Sequence, residues 1–160
     1  MAVRDAFTAE EWQAVEAAPF LVGLYLVGAS PREPMVVVTE MLAAEKAVTL
    51  EAHQPDALPI VKDINADLVA EVLSRDLGVI HGAADEQTRV LGELARALAL
   101  VQARVPTMDS AFRAWLYRVA DHVARTATER APPDAGSRQV SAEVAAALDT
   151  LAHTLGVPRR

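Results

Sequence analysis

Apolar residues recur along this chain at helical spacing, and the polar, proline and glycine positions between them mark seven helical segments. Thr8-Ala-Glu-Glu11 has the form of a capping box, in which Thr8 accepts from the Glu11 amide and Glu11 reaches back. It predicts a first helix over about 9–18. Pro19 suits the first turn of a second, about 19–29, because its missing N–H would be unpaired there anyway. That segment, Phe20-Leu-Val-Gly-Leu-Tyr-Leu-Val-Gly28, is apolar on every side, the mark of a central buried helix. A buried strand shares the pattern, but no second strand is available to pair with it. Ser30-Pro-Arg-Glu-Pro34 breaks the chain, and a third helix follows over about 34–52.

Pro55 and Pro59 bracket a turn before a fourth helix, about 59–76, with Ile60, Ile64, Leu68 and Val72 at four-residue steps. Asp85 can cap a fifth, about 86–104, whose Leu91, Leu94, Leu98, Val101 and Val105 draw one narrow seam, fit for a core or for a dimer. In the sixth, about 110–129, Phe112, Trp115, Leu116, Val119 and Val123 face inward, and Asp121–Arg125 and Arg125–Glu129 pair on the outer face. A surface loop is expected over 131–139. Ser141 caps the seventh helix, about 142–155, and Gly156, Val157 and Pro158 close it. The expectation is an all-α, single-domain bundle of about seven helices over residues 1–160, built around the buried segment 20–28.

The order of these elements resembles the tellurite-resistance TerB-like helical family. Glu11-Trp12 with Ala18-Pro19-Phe20-Leu-Val-Gly23 looks like that family's opening helix and buried second helix. Phe112, Trp115-Leu116, Val119-Ala120, Val123-Ala124 and Glu129 look like its long penultimate helix. Val140-Ser141, Glu143, Leu148, Leu151-Ala152 and Leu155-Gly156 look like its closing one. The resemblance implies a compact seven-helix fold and a stress-linked role. The family typically places an Asp-Gly after the buried helix, and an acidic residue a few positions on, in contact with metal. Here that region reads Ala29-Ser-Pro-Arg-Glu-Pro34, so no ligand is carried over.

Composition narrows the function classes. The chain has no cysteine, which removes disulfides, thiolate nucleophiles and cysteine-ligated zinc and fits a reducing compartment. The N-terminus lacks the apolar core of a signal peptide, and no stretch reaches the roughly 20 apolar residues of a membrane span. The expected location is the cytoplasm, without membrane insertion. A net charge of −7 repels phosphate backbones, so nucleic acid is not an expected partner. The closing helix offers a DNA groove only Glu143, Asp149 and alanines beside Arg159 and Arg160.

Asp63-Ile-Asn-Ala-Asp67 opens like a calcium loop, but Leu68 and Ser74 stand where that loop needs glycine and a bidentate glutamate. His53, His81, His122 and His153 stand apart, with no His-His or Glu-x-x-His spacing. No nucleophile elbow or phosphate-binding glycine loop occurs. The sharpest candidate is an acidic stripe: Asp63, Asp67 and Glu71 follow one another at i,i+4, with Arg75 one step further. Like charges at that spacing cost roughly 0.2–0.5 kcal/mol per pair, and Asp67 has no intrahelical cation at i±3 or i±4. The stripe reads as a solvated face, or as a docking patch for a divalent metal cation or an arginine-rich partner. The functional expectation is a non-catalytic binding or scaffold module with a protein partner or self-association; its cofactor, if any, is unknown. The alternative is a weak divalent-cation binder or a hydrolase with an acidic site assembled by folding.

Overall fold

The computed structural model describes residues 2–29, 34–69, 86–129 and 135–158, with side chains described for all of these except 34–40, 69, 127–129 and 135–141. The described residues form a 3-10 turn at Val3–Ala6, then helices α1 Ala9–Glu16, α2 Ala18–Val27, α3 Pro34–Ala52, α4 Pro59–Val69, α5 Glu86–Arg104, α6 Asp109–Glu129 and α7 Ala135–Leu155. There is no strand among them, so the fold is all-α as the periodicity predicts. His81, Asp85 and Arg75, and the end of the fourth helix as read from sequence, lie outside the described residues.

Local signals set the helix ends. Thr8 accepts from the Glu11 amide at 3.1 Å and its own amide donates to Glu11 Oε1 at 2.9 Å, completing the capping box. At the far end Gly156 has φ +68°, and the Val157 and Gly156 amides donate to the Ala152 and His153 carbonyls, which is a Schellman closure.

Every residue of α2 is buried. It packs against α3, α5 and α6, with α1 and α7 completing its surroundings. Gly23 lets α3 approach: a Cβ there would lie 3.3 Å from the Ala44 Cβ and 3.6 Å from Met41 Sδ. Phe112, Trp115, Leu116, Val119 and Val123 of α6 join one continuous core with α2, α3, α5 and α7.

One expectation is corrected. The loop expected over 131–139 is cut short, because α7 starts at Ala135 and Ser141 lies inside it. A serine cap stabilises by about 1 kcal/mol, and with no proline between Ala135 and Ser141 nothing stops the helix extending past that cap. The seam of α5 serves the core, one of the two uses expected of it. Leu94, Leu98 and Val101 are buried and Leu91 and Val105 pack against the core, because α5 lies between α1 and α2.

Polar ties cross the helix seams at several points. Gln87 of α5 donates to the Tyr25 carbonyl at 3.1 Å, and Thr49 of α3 to Asn65 of α4 at 3.2 Å. Arg113 pairs with Asp109 at 3.0 Å and reaches the Leu155 carbonyl at the end of α7.

Candidate functional site

The most perturbed chemistry lies where the N-terminal turn meets α1 and α4. Trp12, Val15 and Glu16 form the buried face of α1, so the helical period carries a carboxyl inward beside an indole. Asp67 arrives from α4 on the face that buries Ile60 and Ile64. Glu16 is 3% exposed and Asp67 4%. Asp67 Oδ2 accepts from Trp12 Nε1 at 2.7 Å, and Asp67 Oδ1 from Arg4 Nη1 at 2.5 Å.

Arg4 spans the cluster from above. Its backbone amide donates to Asp63 Oδ2 at 3.2 Å, and its guanidinium lies 6.0 Å from the centre of the Trp12 ring, in cation–π range. Phe7 packs against that indole, the ring centres 5.7 Å apart.

Burial pushes the Glu16 carboxyl up to about 8, helped by its hydrogen bond to Asp67 and by the Asp67 charge. Arg4 and Trp12 oppose that shift. Burial raises Asp67 too, but hydrogen bonds from Trp12 and Glu16 and the Arg4 charge outweigh it and hold this carboxyl below its ordinary range. Of the two acids, Glu16 is thus the one that holds its proton more tightly and Asp67 the one that gives it up first. Glu16 Oε2 is buried without a hydrogen-bond partner among the described residues.

The acidic stripe is thus divided. Asp67 is buried and ion-paired, Asp63 is half-buried on the Arg4 amide, and Glu71 lies outside the described residues. The solvated-face reading does not describe Asp67: its cation is Arg4, 63 residues away in sequence. Among the described residues no group of three or more histidine, aspartate or glutamate side chains is placed to hold a metal ion. Nor is any described helix long and apolar enough to cross a membrane.

Sequence reading did not single out Arg4 or Glu16. Glu16 did carry a signal, since it stands one helical turn after Trp12 on the apolar side of α1.

A second feature lies between α3 and α6. A cleft of about 160 Å³ is lined by Ala47, Leu50, Glu51, Trp115, Arg118, Val119 and His122. Arg118 and Glu51 pair across it at 2.5 Å. Trp115 is fully buried beneath, its Nε1 without an acceptor among the described residues. Leu42 and Leu50, two turns apart on α3, are 55% and 51% exposed, the two large apolar side chains so exposed among the described residues. No protein-family model, curated protein or solved structure matches this chain.

Proposed function

We propose that this chain is a non-catalytic helical binding module that seats one helix of a protein partner in the groove between α3 and α6. The observation that carries the reading is the cleft itself, with Leu50 at its edge and Leu42 beyond. An engineered apolar cavity of about 150 Å³ holds benzene, so the cleft has room for one leucine- or phenylalanine-sized side chain. A helix entering such a groove offers anchors at i, i+3 or i+4, and i+7. The Arg118–Glu51 pair and His122 give the rim both donors and acceptors for the partner's polar flank. The TerB-like resemblance adds a stress-linked setting.

A photo-crosslinking residue placed at Leu50 tests this, with the same residue at exposed Glu93 of α5 as control. One defined adduct is expected from position 50 and none from position 93. Leu50→Glu should weaken partner binding while leaving the melting temperature unchanged. A covalent dimer of the chain would make the occupant a second copy. No adduct at position 50 would refute the groove as a docking site.

A further inference from the structure

The cleft between α3 and α6 is walled by two helical rows. On α6, Trp115, Arg118 and His122 stand at i, i+3 and i+7, and on α3, Ala47, Leu50 and Glu51 stand at i, i+3 and i+4. Among these walls is a donor with nothing to bind. Trp115 is fully buried, and its indole N–H has no acceptor among the described residues, whereas the other indole, Trp12, donates to Asp67. Buried polar groups in folded chains are nearly always paired. A donor taken from water and left unpaired is a standing cost, which a ligand that brings an acceptor removes.

The ion pair on the same walls has capacity to spare. Its bond takes one guanidinium nitrogen and one carboxylate oxygen, Arg118 Nη2 and Glu51 Oε1. Among the described residues neither side chain makes a second polar contact. The pair therefore presents a donor and an acceptor to the cleft while its charges cancel.

We infer that the side chain seated in this cleft is a primary amide, the glutamine of a partner helix. The anchor belongs to the groove proposed above and rests on that reading. Its amide oxygen accepts from Trp115 Nε1, its NH₂ donates to the second carboxylate oxygen of Glu51, and its methylene stem lies on Ala47 and Leu50. Charge and hydrogen bonding decide against the other anchors. A carboxylate would bring a second anion to a guanidinium that Glu51 already neutralises, in a cleft with a dry floor. A lysine or arginine has no acceptor for the indole. An aliphatic anchor fills the space and leaves the indole unpaired. The amide supplies an acceptor and a donor on separate atoms and brings no charge.

Propionamide, the glutamine side chain as a free molecule, tests this on the full chain by NMR, with propionate and benzene as the charged and the apolar probe. With propionamide the Trp115 indole N–H should move downfield and saturate, while the Trp12 indole, already bonded to Asp67, stays still. Propionate should bind more weakly. Trp115→Phe keeps an aromatic ring and removes the donor, so it should weaken propionamide by about two- to tenfold, the value of one neutral hydrogen bond, without weakening benzene. Propionate binding as tightly as propionamide, or propionamide binding unchanged in Trp115→Phe, overturns the amide anchor. So does benzene shifting the Ala47 and Leu50 methyl signals where propionamide leaves them and the Trp115 indole still; the groove then stands with an apolar anchor. Should none of the three probes move those signals, the groove itself fails and the amide anchor with it. Where Trp115→Phe does not fold, the Trp115 shift and the order of propionamide and propionate on the wild-type chain decide.

Discussion

Replacing Asp67 by asparagine sets two physical arguments against each other. In the sequence, Asp67 is the middle of three like charges, and neutralising it removes two repulsive pairs, a gain of roughly 0.4–1 kcal/mol. In the structure it accepts from two groups at once, the Arg4 guanidinium and the Trp12 indole. Asparagine has one acceptor oxygen. Trp12 Nε1 is buried and cannot turn to water, so the oxygen should stay with the indole and leave an NH₂ facing the Arg4 guanidinium. The charge-assisted bond to Arg4 is then lost, which costs about 1.5–3 kcal/mol, toward the lower end because Arg4 is partly solvated. The net expectation is a loss of about 1–2 kcal/mol, or roughly 2–8 °C in melting temperature for a chain of this size. Urea unfolding followed by far-UV circular dichroism at neutral pH measures it. Asp63→Asn is the internal control, since it relieves the same kind of repulsion but gives up only a half-exposed bond from the Arg4 amide. It should change stability by less than about 0.5 kcal/mol. If both variants are equally stable or more stable than wild type, repulsion governs α4 and the buried pair contributes nothing.

The acid pair also sets a pH profile. Glu16 is raised from 4.5 to about 8, so its stabilising contribution is complete below about 4.5 and is lost as pH rises through 8; Asp67 is lowered, so its contribution is present above about 3.8 and lost as pH falls further. Wild-type stability relative to Glu16→Gln should therefore decline across that upper window, by at most about 1.4 kcal/mol per pH unit, as denaturant titrations at several pH values would show. Gly23→Leu should cost about 1–3 kcal/mol in thermal unfolding, since its Cβ already lies 3.3 Å from that of Ala44; an unchanged melting temperature would mean that α2 and α3 are less tightly apposed. Retention on duplex DNA at physiological salt should be absent, as a net charge of −7 supplies few phosphate contacts, and salt-sensitive binding in a gel-shift assay would contradict this.

What could be read from the sequence was short-range. The capping box joins residues three apart, the Schellman closure residues five apart, and the apolar run of α2 declares its own burial without reference to any partner. The bounds of α3 and α5 follow from periodicity and flanking proline or acid. The start of α7 was missed because a good cap at Ser141 looks the same whether the chain uses it or continues through it. The acidic cluster was missed for a different reason: Arg4 and Trp12 reach Asp67 across 63 and 55 residues. No local rule carries that information.

The position of each acid nevertheless held half of it. Asp67 stands three residues after Ile64 and seven after Ile60, on the side of α4 that is buried, as well as on the acidic stripe. Glu16 stands four after Trp12 on the buried side of α1. A charged residue at an inward position of one helix requires a partner from elsewhere in the chain, because an unpaired buried charge costs more than a domain can spare. Two such acids on two helices limit the solutions: each finds its own cation, or they meet and share a proton under one. This chain sets Asp67 under the Arg4 guanidinium and the Trp12 indole, and leaves Glu16 to burial, which holds its carboxyl above the ordinary carboxylate range.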